Sequence, residues 1–268
     1  MIGSGLARDG SQMPLRPTSK ADLAAHLAAL GVRRGTDLIV HSRLVSFGLI
    51  EGGAPTVYAA LRDAVGDQAT IAVPAYTVSF ASRDSEGRVF DPAETPSEMV
   101  GALSEYVRLL PDAVRSICPT HSHAAVGPKA RMLDRDSAIS FGPGSDFDLF
   151  LREGFSTLYF GCSFKEAATF AFHVEAMFGA VPYREWVELP CQLKRHGTIE
   201  QVVCRYYRRA SLDAHEDLTV VETALERTGK MTPIPCLFGA SRLVRLADFY
   251  DCLLGMLRAN PSALLVAN

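Results

Sequence analysis

The sequence predicts an α/β protein: a mixed sheet covered by helices on both faces, with a smaller β-rich lobe toward the C-terminus. Three observations predict it. Short, wholly apolar, β-rich runs alternate with amphipathic segments through the first two-thirds of the chain. Strands of that kind are buried on both faces, so helices must lie above and below them. From "WVELPCQLKRHGTIEQVVCRYYRR" onward the pattern changes to two long strands about a His196-Gly197 turn. The 268 residues, 48% of them hydrophobic, suffice for one sizeable core.

The elements follow in order. Residues 1–18 read as a loose tail and 19–268 as a single domain, because no low-complexity linker or repeat interrupts them. The tail has no continuous apolar stretch, so it is not a signal peptide. Ser19 opens a helix, with Asp22 as its capping partner, and Gly31 stops it. "TDLIVHSRL" is a buried strand ending at His41, and "GGAPTVYAALRDAVG" a glycine turn followed by a helix. "ATIAVPAYT" is a strand ending at Thr77, and "SEMVGALSEYVRLLP" a helix. "THSHAAVGP" is a loop entering a short strand, and "STLYFGC" a buried strand followed by the helix that carries His173. Beyond the hairpin, "TVVETALERTG" and "SRLVRLADFYDCLLGMLRAN" are helices flanking the strand "TPIPCLFG".

Composition narrows the function. A net charge of -3 with both signs mixed, and no basic stripe, argues against nucleic acid as the partner. No apolar run reaches the length of a membrane span. The six cysteines are scattered without a CxxC pair, which fits a reducing cytoplasm rather than a disulfide scaffold or a zinc knuckle.

Several residues could carry chemistry. His41 and Ser42 close a buried strand, and ligands of open α/β sheets sit outside the carboxyl ends of strands. Gly52 and Gly53 precede a helix whose free N–H groups could take a phosphate. Thr120, His121, Ser122 and His123 form a polar loop; its H-x-H pair lacks a third ligand at useful spacing, so no metal is expected. Cys162 stands at a strand end ahead of a helix, which would lower a thiol's pKa, but no nucleophile elbow surrounds it and a small buried thiol is the better reading; a nucleophilic thiolate is the alternative. His173 lies on a helix rich in Phe and Ala, where a lone histidine is more often a core residue than a base, and periodicity does not decide between them.

Taken together, the blocks resemble the aminoglycoside 3-N-acetyltransferase family. "IVHSRLVSFGLIEGGAPTVYAALRDAVGDQATIAVPAYT" resembles its N-terminal signature of a strand ending His-Ser-x-Leu, a glycine pair, a helix and a second strand. "FDPAETPSEMVGALSEYVR", "RSICPTHSHAAVGPKA" and "FGPGSDFDLF" resemble the following blocks, in family order. The resemblance implies an α/β/α layered mixed sheet, and transfer of an acyl group from acetyl-CoA or another pantetheine thioester to an amine. It implies that His173 is the general base, since a thioester is attacked by a neutral amine whose proton must be taken. The family places a glutamate one helical turn after that histidine, in a Thr-x-x-His-x-x-Glu motif. Aligned from "VPYREW", that slot is Ala176; aligned from Thr169, it is Glu175 and the histidine falls on Phe172. A one-residue bulge would bring Glu175 to His173, and Glu166 is another partner on that face.

By the same resemblance His41, Ser42, Leu44, Gly52, Gly53, Thr120 and Ser122 serve the donor side, with His41 also a catalytic candidate. Thr77, Glu166 and Tyr183 serve the acceptor. The expected acceptor is a small-molecule amine: an amino sugar, an aminoglycoside or a natural-product intermediate. An acyl carrier protein is an alternative donor, and a homodimer is compatible. The rival readings are a thiol acyl-enzyme using Cys162 and a catalytically altered relative that binds CoA.

Overall fold

A computed structural model describes residues 16–81, 87–211 and 215–266. Most of residues 1–18, read as a tail, lies outside the described residues. Three parallel strands form the centre: β1 (Leu38–Ser42), β2 (Ile71–Pro74) and β6 (Ser156–Phe160). β1 pairs with β2 on one side and with β6 on the other, in the register His41 opposite Tyr159. Antiparallel strands extend both edges: β5 (His123–Val126) and β4 (Val114–Arg115) beyond β2, and β10 (Gly239–Arg245) and β9 (Ile234–Cys236) beyond β6. The order is β4-β5-β2-β1-β6-β10-β9.

Alternation along the strands feeds two cores. Leu38, Val40, Ile71 and Val73 face a layer built by α1 (Lys20–Ala29), α2 (Gly53–Val65) and α3 (Ala102–Arg108). Ile39, Ala72 and Tyr159 face the other core, where α4 (Asp146–Arg152), α6 (Phe170–Phe178) and α8 (Leu246–Ala259) contribute Phe147, Phe150, Phe170 and Phe249. Successive strand residues point to opposite faces, which is why a continuous apolar run can serve both layers.

The second sheet is the long hairpin of β7 (Arg184–Arg195) and β8 (Thr198–Arg209), flanked by the short β3 (Val89–Phe90). Both turn residues have positive φ, 49° at His196 and 80° at Gly197, the geometry that matches the twist of paired strands. Among the described residues no helix is long and apolar enough to cross a membrane.

Two expectations are corrected. Residues Ser241–Arg245, read as the start of the last helix, belong to β10, and Arg242–Arg245 pair antiparallel with β6. The open edge of β6 supplies a partner that no local pattern reveals. The helix expected from residue 97 begins only at Ala102, since Met99 and Gly101 take positive φ of 58° and 84° and turn the chain over a cavity instead.

Gly127, with φ +128°, lies where an added Cβ would stand 2.5 Å from the Ala69 carbonyl oxygen and 2.8 Å from Thr70 Cα. Gly127→Ala should therefore destabilise the fold by about 2 kcal/mol or more, read as a lower urea midpoint. An unchanged midpoint would contradict this packing.

Candidate active site

A cavity of about 590 Å³ opens at the carboxyl ends of β1 and β2. His41, Ser42 and Leu44 line it from the end of β1, and Tyr76 from just beyond β2. Cys162, Glu166 and Thr169 line it from the segment after β6. A second cavity of about 520 Å³ lies against the hairpin, lined by Phe141, Phe172, Arg184 and Tyr206 among others. His121 lines both, between the Tyr76 ring at 4.8 Å and the Tyr206 ring at 5.6 Å.

Burial sets the charge state of the wall. It pushes His41 and His121 down to about 3. Both imidazoles are neutral at neutral pH. His41 stacks on Tyr159. The Ser42 hydroxyl and His121 Nδ1 are buried without a hydrogen-bond partner in the protein. Unsatisfied buried polar atoms are rare, and beside a cavity they are where a polar ligand atom would bind. Burial also pushes the Cys162 thiol up to about 12, with Glu166 acting the same way. Its Sγ lies 3.5 Å from the His41 carbonyl oxygen as a weak donor. The helix-terminus argument for a thiolate is overridden by desolvation.

Other expected residues lie elsewhere. Gly52 and Gly53 form the turn into α2, with φ of 70° and 62°, and line neither cavity. Thr120 lies between the Cys118 and Cys204 sulfurs. Ser122 donates to the Ala75 carbonyl at 2.7 Å and accepts from Arg115 Nε at 3.0 Å. Thr77 donates to the Pro119 carbonyl. These hydroxyls knit the strand-end loops together; none reaches a cavity. Glu166 caps its own helix through Ser163 and pairs with Arg43 at 3.5 Å.

His173 is fully buried, beside Phe170, Phe147 and Tyr250, and lines neither cavity. Its Nδ1 accepts the Gly142 N–H at 3.1 Å, so a neutral ring must carry its proton on Nε2, which has no partner. In that tautomer neither nitrogen offers a free lone pair. α6 runs without a bulge, and Glu175 turns away to accept from Tyr183 at 2.6 Å and to pair with Arg184. The carboxylate partner expected for His173 is therefore neither Glu175 nor Glu166.

A different histidine has the carboxylate. His123 Nδ1 lies 3.1 Å from Asp146 Oδ2, and Asp146 Oδ1 is 3.0 Å from Arg135. Asp146 Oδ2 also accepts from Ser116 Oγ at 2.5 Å and from the His123 N–H at 3.2 Å. On the other side, His123 Nε2 lies 3.4 Å from the Tyr76 hydroxyl, which is 2.8 Å from Thr169 Oγ1. Asp146, Tyr76 and Thr169 were not anticipated. Twenty-three residues separate His123 from Asp146, and no local spacing links them.

Burial pushes the Glu175 carboxyl up to about 7 against the opposing pull of Arg184. A carboxyl raised on folding holds an extra proton in the native state between its ordinary range and about 7. Its contribution is full below the ordinary range and is lost as pH rises through about 7. Glu175→Gln should flatten the corresponding fall in melting temperature between about pH 5 and about pH 8. Thermal unfolding across that range checks this, and a slope equal to wild type would refute it.

Comparison with known proteins fits this architecture. The chain matches the family model described as aminoglycoside 3-N-acetyltransferase over residues 39–258. It is 34% identical over 187 residues to aminoglycoside N(3)-acetyltransferase III of Salmonella sp, covering 63% of this chain and 64% of that one. It is 32% identical over 188 residues to aminoglycoside N(3)-acetyltransferase VII of Streptomyces paromomycinus, covering 64% of this chain and 65% of that one. The match thus spans just under two-thirds of these relatives' length. Among solved structures, AAC-IIIb in binary complex with CoASH superposes with a TM-score of 0.81 at 23% identity, over 94% of this chain and all of that one. The apoenzyme of aminoglycoside acetyltransferase AAC(3)-IVa gives 0.79 at 26% identity, over 96% and 94%. A family model that matches residues 39–258, well over half of the chain, leaves one conclusion: the chain belongs to the aminoglycoside 3-N-acetyltransferase family.

Proposed function

We propose that this protein is an N-acyltransferase that moves an acyl group from acetyl-CoA, or a related pantetheine thioester, to the amine of an amino sugar, an aminoglycoside or a natural-product intermediate. The observation that carries this reading is the strand-end cavity, with an apolar wall and an unpartnered Ser42 hydroxyl, in a chain of this family. A relative solved with CoASH supports the donor, and an AAC(3)-IVa structure in complex with a gentamicin supports an aminoglycoside acceptor. When bound, the thioester supplies an electrophilic carbonyl and a thiol leaving group. Leu44 and Val45 offer apolar surface to its arm, and the Ser42 hydroxyl a hydrogen bond. Neutral His41 and His121 bring no positive charge that would repel an amine.

Direct transfer is favoured over an acyl-enzyme, because the Cys162 thiol is held protonated. Thiol release from acetyl-CoA, with a mixed panel of amino sugars, aminoglycosides and biosynthetic amines, tests the reading. Amine-dependent release is expected; its absence with every amine and with carrier-protein donors would overturn it. Cys162→Ala should keep activity within about threefold, whereas loss of a nucleophile would abolish it. The resemblance assigns the base to His173, but its tautomer argues against that role. His173→Ala should cost less than about tenfold in kcat; a general base contributes about 10²-fold or more.

A further inference from the structure

The hydrogen-bonded line Asp146–His123–Tyr76–Thr169 runs from the buried second core to the wall of the strand-end cavity. Its polarity follows from chemistry. Asp146 is paired with Arg135 and, as a carboxylate, only accepts. His123 Nδ1 must therefore carry the proton it presents to Asp146, which leaves a lone pair on Nε2. Tyr76 then donates to Nε2, and Thr169 donates to Tyr76. Every donor points toward Asp146. What remains at the cavity end is an acceptor, the free lone pairs of Thr169 Oγ1.

We propose that this line is the proton-accepting device of the acyl transfer, with Thr169 meeting the acceptor amine and Tyr76, His123 and Asp146 positioned behind it. The inference rests on the acyltransfer reading above. As the amine nitrogen forms its bond to the acyl carbon, it gives a proton to Thr169 Oγ1. Thr169 passes its own proton to Tyr76, and Tyr76 passes its own to His123 Nε2. The resulting imidazolium lies against the Asp146 carboxylate. As the carbon–sulfur bond breaks, the shifts reverse, and the proton leaves on the sulfur as a thiol. No atom or electron is left over, and Thr169 and Tyr76 are neutral before and after.

Three features suit the line to this work. Its cavity end, Thr169, is partly exposed while Tyr76 and His123 are buried, so the imidazole is held away from solvent and connected to the cavity wall through Tyr76 and Thr169. His123 is held edge-on by the Phe147 and Phe150 rings at 4.7 and 5.1 Å, which fixes the imidazole plane. The arrangement also provides what His173 lacks, an imidazole with both a carboxylate and a usable lone pair. The charged or titratable groups around His123 are Asp146, with Arg135 behind it, Tyr76, and the imidazoles of His41 and His121.

Two measurements test it together. Nitrogen-15 NMR of histidine-labelled protein, assigned with His123→Gln, reads the tautomer: Nδ1–H is expected, with an Nε2 shift that moves in Tyr76→Phe. Steady-state kinetics with acetyl-CoA and an accepted amine compare wild type, Tyr76→Phe and Thr169→Val across pH. Each variant should lose about 10²-fold or more in kcat with the thioester KM within about threefold, and the acid limb of the wild-type profile should vanish in Tyr76→Phe. An Nε2–H tautomer at His123, or a Tyr76→Phe enzyme with near-wild-type kcat and an unchanged pH profile, overturns the relay alone. Absence of thiol release by wild type overturns the acyltransfer reading and the relay with it.

Discussion

A carboxylate almost without solvent organises this molecule. Asp146 is 3% exposed, and a buried charge is tolerable only when donors surround it. It finds four: Ser116 Oγ, the His123 backbone N–H, His123 Nδ1 and Arg135. It also opens α4, where a negative charge meets the positive end of the helix. These bonds draw the segment after β4, the start of β5 and the first turn of α4 to one point. The ends of the strands, and so the cavity they frame, depend on that meeting.

Around it, a second set of bonds holds the strand-end loops. Arg115 reaches Ser122, the Ala75 carbonyl and the Thr95 carbonyl, with Phe90 beneath its guanidinium at 4.9 Å. Thr77 and Thr120 close the neighbouring turns. Polar residues of a strand-end loop thus divide into two kinds. Some have every hydrogen-bonding atom committed to the protein, as Ser122 and Thr77 do. Others line the cavity with an atom uncommitted to the protein, as Ser42 and His121 do, or reach its wall at the end of a hydrogen-bonded line, as Thr169 does. The second kind is where ligand chemistry can happen, and residue type alone does not separate them.

The hairpin contributes a wall of the second cavity. Arg184 at its root pairs with Glu175 and Glu216 and lies over the Phe172 ring at 3.8 Å, which locks α6 to the second sheet. Glu175, expected to orient a histidine, instead anchors this corner. Aligned from "VPYREW", the family pattern places its glutamate where Ala176 stands; aligned from Thr169, it places the glutamate at Glu175 and the histidine at Phe172, which lines the second cavity.

The sequence by itself determined the architecture and the strand ends at which the cavity opens. Apolar β-rich runs, glycine turns and the long hairpin are local patterns, set by burial on two faces and by turn geometry, so they read correctly without a fold. The rule that ligands sit at strand ends pointed to His41 and Ser42, and the family resemblance added Leu44 and Glu166; these four line the cavity, as does Cys162. What only the tertiary structure decided was the pairing of polar atoms. Arg242–Arg245 became a strand because β6 offered an open edge. His173 became a core residue, and His123 an imidazole held by a carboxylate, because Gly142 and Asp146 arrive there from distant parts of the chain. Hydrogen bonds are satisfied by whatever the fold brings within about 3 Å, and sequence distance carries no information about that.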